Sequence, residues 1–257
     1  MNDVALITGA SSGLGAEFAR IHAGRGGDAV LVARREDRLR ALADELEGAG
    51  RSIHVIAADL SEEDAPERVV AELDERGVAV EHLINNAGFG GRGLFHERPW
   101  ADDRAMIQVN VVALTALTRL LLPRSVERGR GRVLNVASTA ALVPGPLQAV
   151  YYATKAYVRS FSNALHEELR DSPVTVTALL PGATKTEFAA VSDMDETALF
   201  KNAHPARPVA EAGYEAMRRG DLEVVAGVSL SQRSQLKAAQ LAPRRTVLRQ
   251  VRKAQEA

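Results

Sequence analysis

The sequence predicts an α/β fold, a single doubly wound domain built on a mainly parallel seven-stranded sheet. Three observations predict it. Seven short aliphatic or β-branched runs recur along the 257 residues. Each is nearly continuous in apolar character, as a strand covered on both faces must be. Between them lie segments of helical pattern, and strands alternating with helices imply right-handed crossovers within one parallel sheet.

Taken in order, the strand runs are VALIT (4–8), AVLVA (29–33), IHVIAA (53–58), HLINN (82–86), RVLNVAS (132–138), VTVTALL (174–180) and a weaker LEVVAG (222–227). The clearest helical segments are 36–50, 65–77, 106–123 and 148–170. The first runs into glycines and the third into Pro123, both expected helix stops. No linker, low-complexity tract or repeat divides the chain. The expectation is one domain over 1–230 followed by a basic, helical extension over 231–257.

Composition narrows the function classes. A chain of this size hides roughly three-quarters of its surface on folding, and 46% hydrophobic residues supply that core. The formal net charge of −1 gives no global attraction to nucleic acid or an anionic membrane. Cysteine is absent, which removes disulfides, thiolate zinc sites and cysteine nucleophiles and fits a reducing compartment. The N-terminal MNDVALITGA lacks the pattern of a secretory signal. No apolar stretch approaches the roughly 20 residues of a membrane span. The expectation is a cytoplasmic protein without a transmembrane segment. Its six histidines, His22, His54, His82, His96, His166 and His204, are scattered, so no metal site is expected.

The first strand leads straight into TGASSGLG, residues 8–15. Gly9, Gly13 and Gly15 there suit a tight turn, a close approach of backbone to a pyrophosphate and tight helix–strand contact. The following helix presents free N–H groups and a positive dipole end to an anion. A plain βα turn is the bland alternative; the position after the first strand favours a dinucleotide. The second strand ends in LVARRED, with Arg34 and Arg35 where an acid would receive a ribose 2′-hydroxyl. A guanidinium fork suits a 2′-phosphate instead. NADP is therefore expected over NAD, with Arg34 favoured, the alternative being solvated surface charge.

YYATK, residues 151–155, poses a choice. On a helix both Tyr151 and Tyr152 neighbour Lys155, at i+4 and i+3. A lysine ammonium beside a phenol stabilises the phenolate and brings its pKa down from about 10. Such a phenol can donate a proton to a carbonyl oxygen or accept one from an alcohol. Spacing alone does not choose between the two tyrosines.

In order and spacing, these motifs resemble the short-chain dehydrogenase/reductase family in its compact branch. The match runs through TGASSGLG, Asp59, NNAG (85–88), Asn110, Ser138, the Tyr151…Lys155 pair and PGATKT (181–186). The resemblance implies a Rossmann-type fold and selects Tyr151 as general acid/base, leaving Tyr152, about 100° further round the helix, as a packing or interface residue. It implies that Lys155 lowers the phenol's pKa and bonds the nicotinamide ribose. Ser138 would bond the substrate oxygen, and Asn110 would hold a water that relays protons. For the cofactor it implies Gly9, Ser11, Ser12, Gly13, Leu14 and Gly15 around the phosphates, and Asp59 and Leu60 beside the adenine. Asn85, Ala87 and Gly88 would stand on the ribose side, with Pro181, Gly182, Thr184 and Thr186 near the nicotinamide. It also implies a homodimer or homotetramer.

The resemblance implies a ketone or aldehyde, or the corresponding alcohol, as substrate, and nothing in the sequence names it further. By the same resemblance Phe188, Met194, Leu199 and Phe200 are candidates for an apolar lid, with Phe89, Phe95 and Val143 on the facing wall, the alternative being a surface loop with short helices. Residues 231–257 carry seven Lys/Arg against one Asp/Glu, and Leu236, Leu241, Val247, Leu248 and Val251 make an imperfect stripe broken near Pro243. That segment is read as a solvated tail or subunit-packing helix, with contact to an anionic membrane surface as the alternative. The competing readings are a 3-oxoacyl reductase of fatty-acid type, favoured by a basic carrier-docking patch, and a non-catalytic NADP-binding sensor or scaffold.

Overall fold

A computed structural model describes residues 3–192, 194, 200 and 203–256. Seven strands pair in parallel: β1 (Val4–Thr8), β2 (Asp28–Ala33), β3 (Ile53–Ala57), β4 (His82–Asn85), β5 (Arg132–Val136), β6 (Thr175–Pro181) and, last in the sheet, Glu223–Ala226. The order across the sheet is β3-β2-β1-β4-β5-β6 followed by that last strand. All seven coincide with the predicted runs to within a residue or two at each end. The sheet is covered on both faces because successive side chains alternate. Ile7, Leu31, Ile84, Leu134 and Leu179 point to one side and join Phe18, Leu39 and Tyr214. Leu6, Val30, Leu83, Val133 and Val176 point to the other and join Val69 and Leu117.

The helices between strands are α1 (Gly13–Gly24), α2 (Glu36–Glu47), α3 (Ala65–Glu75), α4 (Trp100–Ile107), α5 (Leu114–Glu127) and α6 (Ala149–Glu168). A π-helical turn, Gln108–Ala113, joins α4 to α5 without a break. The continuous helix Trp100–Glu127 is long and apolar enough, by length and composition, to cross a membrane, with a mean hydropathy of 1.7 over 18 residues. The expectation that no stretch approaches that length therefore fails. Here Val109, Ala113, Leu117 and Leu121 are buried in the same cluster as Leu6 and Leu83. A second correction concerns Pro123, which lies inside α5 instead of ending it. Pro123 and Arg119 are both exposed, so water can serve the Arg119 carbonyl that the proline cannot.

After β6 the chain forms a two-residue strand β7 (Thr184–Lys185), the short α7 (Phe188–Val191), and β8 (His204–Pro205), which pairs with β7 in parallel. This small pair carried no apolar pattern and was not legible in the sequence. Helix α8 (Ala206–Arg219) packs on α1 and ends at Gly220 with φ of +74°, a left-handed cap. Then comes β9, the Glu223–Ala226 strand, and two C-terminal helices, α9 (Leu230–Leu241) and α10 (Arg244–Gln255). A capping box between Ser229 and Gln232 starts α9, and Pro243 precedes α10. The predicted stripe does not act as one face: Val247 is buried, whereas Leu241 is 91% exposed.

Candidate active site

A cleft of about 450 Å³ opens at the carboxyl ends of the strands, lined by residues that follow β1, β2, β3, β4, β5 and β6. In open parallel sheets this is where ligands bind, beside the point where strand order reverses. That point falls between β1 and β4, and the two are stitched together there. Thr8 Oγ1 accepts from the backbone N–H groups of Asn86 and Ala87 at 3.0 and 2.9 Å, and Asn86 Nδ2 donates to the Thr8 carbonyl at 2.9 Å.

The glycine turn is held by contacts that leave no room for a side chain. Gly9 has φ of +65°, and a Cβ there would lie 2.9 Å from Ala87 Cα. A Cβ on Gly15 would lie 2.2 Å from the Gly9 carbonyl oxygen. Gly15 therefore packs α1 onto β1 and does not line the cleft, whereas Gly9, Ser11, Ser12, Gly13 and Leu14 do. The result is a concave backbone turn at the N-terminus of a 12-residue helix. That cradle fits a pyrophosphate, and Arg35 adds a cation to it. Its guanidinium donates to Ser11 Oγ at 3.1 Å and Ser12 Oγ at 3.0 Å. Arg34, favoured from the sequence, is 70% exposed and stands 3.9 Å from Asp59 Oδ2. Both arginines line the cleft, but only Arg35 reaches the turn.

Asp59 and Leu60 line the same end, with Asp59 Oδ1 accepting from the Ser61 N–H and hydroxyl. Ala87 and Gly88 line the middle. Asn85 does not, and that expectation is corrected: its side chain is buried and donates to Thr118 Oγ1 and Asn135 Oδ1. The strand's alternation sends Asn85 beneath the sheet, and Asn86 is the asparagine that reaches the cleft. Pro181, Gly182, Thr184 and Thr186 line the wall after β6.

At the inner end, Ser138, Tyr151 and Lys155 converge on the cleft. Ser138 follows β5 and accepts from the Ala140 N–H, while its hydroxyl also hydrogen-bonds the Tyr151 phenol. One turn of α6 separates Tyr151 from Lys155, whose Nζ lies 5.9 Å from the phenol ring centre. Lys155 Nζ donates to the Val136 carbonyl at 2.8 Å and is not bonded to the phenol. Burial consequently dominates both groups. It pushes the Tyr151 phenol well above its ordinary value, against the opposing pull of Ser138, and brings the Lys155 ammonium down to about 8. The expected lysine-driven fall of the phenol pKa is absent in this arrangement.

Asn110 sits on the π-helical turn, buried behind Gly88 and off the cleft wall. Its amide clamps Phe89, donating to the carbonyl at 2.9 Å and accepting from the N–H at 3.1 Å, and also donates to Thr154 Oγ1. A Cβ on Gly88 would lie 2.9 Å from Asn110 Oδ1 and 3.3 Å from Lys155 Nζ. Only glycine lets these two polar groups come so close to the backbone there.

The apolar end comprises Phe89, Phe188, Met194 and Phe200, all in the cleft wall, while Leu199 lies outside the described residues. Phe95 is 61% exposed, and neither it nor Val143 lines the cleft. The sequence reading missed Tyr152 and Gln148 as lining residues. Tyr152 stands edge-on to Tyr151 with ring centres 6.1 Å apart, over Gly145, where a Cβ would overlap its ring. Its hydroxyl accepts from Gln255 Nε2 at 2.8 Å, and Gln255 is fully buried. The C-terminal extension thus folds back to brace the cleft. An aromatic beside an apparent catalytic tyrosine was the only signal, and it did not identify its partner.

Histidines that looked scattered are partly gathered. Asp3, His22 and His82 present ligand atoms within 4.8 Å of one another, at the opposite end of the sheet from the cleft. Both His22 nitrogens are already engaged, with Tyr214 Oη at 2.7 Å and the Asp3 carbonyl at 3.0 Å, while His82 Nε2 stands 2.6 Å from Asp3 Oδ1.

Comparison with known proteins agrees with this geometry. The family model described as short chain dehydrogenase matches residues 3–197, and the chain belongs to that family of oxidoreductases. A short chain dehydrogenase of Pseudocercospora fijiensis is 36% identical over 196 residues, 76% of this chain and 63% of that protein's length. The chain thus spans less than two thirds of that relative. A sulfoacetaldehyde reductase of Chromohalobacter salexigens is 40% identical over 196 residues, covering 74% of this chain and 76% of the relative. A short-chain dehydrogenase from Sphingobium yanoikuyae, solved in complex with NADPH, is 33% identical, covers 99% of this chain and 98% of its own, and superposes with a TM-score of 0.83.

Proposed function

We propose that this protein interconverts a ketone or aldehyde and the corresponding alcohol, with NADP(H) as the hydride carrier. The observation that carries the reading is the convergence of Ser138, Tyr151 and Lys155 on one end of a cleft whose other end is the glycine turn with Arg35. When bound, the dinucleotide supplies or receives the hydride; every other task falls to the chain. Ser138 and Tyr151 hold the substrate oxygen between two hydroxyls. The phenol, kept protonated at neutral pH by burial, passes its proton to that oxygen during reduction and retrieves it during oxidation. Lys155, still largely cationic at pH 7 with its pKa near 8, offsets the charge left on the phenolate and reaches the nicotinamide ribose. Asn110 fixes the Phe89 backbone beside that lysine. Gly9, Ser11, Ser12, Gly13 and Leu14 take the phosphates, Arg34 and Arg35 the 2′-phosphate, and Asp59 and Leu60 the adenine. The NADPH-bound neighbour supports the cofactor choice.

The test is a fluorescence titration with NADPH and, separately, NADH, followed by a carbonyl screen with Tyr151→Phe and Tyr152→Phe as paired controls. Tighter NADPH binding with activity lost only in Tyr151→Phe is the expected result. Preference for NADH would overturn the cofactor assignment, and binding of neither by a folded sample would overturn the reading as a whole.

One observation favours a narrower substrate class. Arg233, Lys237, Arg244, Arg245, Arg249, Arg252 and Lys253 are all exposed on α9 and α10, and α10 ends against Tyr152 in the cleft wall. A basic surface beside the cleft suits a 3-oxoacyl group carried on an acidic protein. Salt-sensitive reduction of a carrier-linked ketone, over the free ketone, is the outcome that selects it.

A further inference from the structure

We propose that Glu187 is an internal competitor for the NADP(H) 2′-phosphate, held on the same arginines that receive it, and so sets how strongly the phosphate is preferred. The inference rests on the NADP(H) reading above. Glu187 lies between β7 and α7, far along the chain from the second strand, yet its carboxylate bridges two guanidinium groups there. Arg35 Nη2 stands 2.8 Å from Glu187 Oε2 and Arg38 Nη1 stands 2.5 Å from Oε1. Arg35 also holds Ser11 and Ser12, and Ser12 bonds the Glu187 carboxylate. Two guanidinium forks and a hydroxyl therefore surround one pair of anionic oxygens at the edge of the cleft, next to the glycine turn.

That is the donor set a phosphate monoester requires, with a carboxylate seated in it. The arginines hold the Glu187 carboxyl down at about 2, so it competes as a full negative charge at every working pH. A phosphate monoester brings about −1.5 to −2 charges and three acceptor oxygens, and it outcompetes a single carboxylate for two arginines. A ribose 2′-hydroxyl brings neither and leaves Glu187 in place. The competitor thus lowers affinity for the phosphorylated cofactor alone. Arg38, which the sequence reading did not single out, becomes part of the phosphate site once Glu187 is displaced.

The test measures NADPH and NADH affinity in the wild-type chain and in Glu187→Gln, Glu187→Asp and Arg38→Gln. Glu187 and both arginines are 40–48% exposed, and an exposed pair contributes modestly. Glu187→Gln is therefore expected to tighten NADPH binding about threefold to tenfold and to leave NADH unchanged. Glu187→Asp, charged but too short to span both arginines, should fall between wild type and Glu187→Gln. Arg38→Gln should weaken NADPH selectively. Equal tightening for both dinucleotides would mean general charge repulsion and overturn the proposal, as would weaker NADPH binding in Glu187→Gln. A wild-type preference for NADH would instead overturn the cofactor reading, and the proposal with it.

Discussion

The two ends of the cleft are made from different materials. At the dinucleotide end the walls are largely backbone: turns after β1 and β4, glycines at 9, 13 and 88, and a helix N-terminus. At the substrate end they are side chains drawn from distant segments, namely Phe188, Met194, Phe200 and Tyr152 braced by Gln255. A backbone cradle tolerates almost no change, because added atoms collide with main chain that has nowhere to go. A wall of side chains tolerates much, because rotamers and neighbouring residues can adjust. The first end therefore sets what the fold binds in general, and the second is where substrate choice resides.

The largest expected effect comes at the junction between the two ends. Tyr151→Phe removes the phenolic proton and should lower kcat by about 10²–10⁴-fold, the usual worth of a positioned acid/base. Dinucleotide affinity should be retained, so titration and turnover together separate chemistry from binding. Equal losses in both would break the division of labour between the two ends.

Next in size is the backbone end. Gly15→Ala places a methyl 2.2 Å from the Gly9 carbonyl oxygen, and α1 must shift off β1. A loss of about 1–3 kcal/mol in stability is expected from such overpacking, together with weakened dinucleotide binding. Thermal unfolding and titration check both.

Lys155 gives a pH-dependent test. Its folded pKa of about 8 lies below the ordinary 10.5. Between those values the unfolded chain keeps a proton that the folded chain has shed, so the lysine's contribution to stability rises with pH across that window and is flat below it. Lys155→Met should therefore be inactive yet more stable than wild type at pH 7, by on the order of a few kcal/mol, with the advantage shrinking as pH climbs above 8. Unfolding curves at pH 7, 8.5 and 10 decide it. Carbonyl reduction by the wild type should decline over the lower part of the same window, as the ammonium charge is lost.

The smallest effect belongs to the side-chain wall. Among the described residues Gln255 Oε1 is buried without a hydrogen-bond partner, and the side chain's bond is the one its Nε2 donates to Tyr152. Tyr152→Phe or Gln255→Leu alone should each cost about 1 kcal/mol by stranding the other polar group, and the double variant should cost less than the sum. KM for bulky ketones should move severalfold while kcat for small ones stays near wild type. A change in kcat across all substrates would place Tyr152 in the chemistry and erase the contrast.

Much of this was legible because it is local or imposed by main chain. The seven strands were read from apolar continuity, the glycine turn from three positions near one strand, and the Tyr151–Lys155 pair from one helical turn. Choosing Tyr151 over Tyr152 needed the family resemblance, since both lie within about one helical turn of the lysine. The errors share a cause as well. Asn85 falls in the cleft motif by sequence but not in space, because a sequence does not say which face of the sheet a residue takes. Pro123 reads as a stop in the sequence because exposure of the Arg119 carbonyl is a tertiary fact. The π turn that carries Asn110 has no distinct residue pattern.

By itself, then, the sequence determined the parallel sheet, the cradle after its first strand and the spacing of tyrosine and lysine. These depend on backbone sterics and on neighbours a few residues apart. Only the tertiary structure decided that Arg35 rather than Arg34 reaches the glycine turn, that Glu187 sits on Arg35 and Arg38, that Asn110 clamps Phe89, and that Gln255 braces Tyr152. Each of these joins flexible polar side chains far apart in the chain, and such partners are chosen by where packing brings the backbone, not by any local pattern.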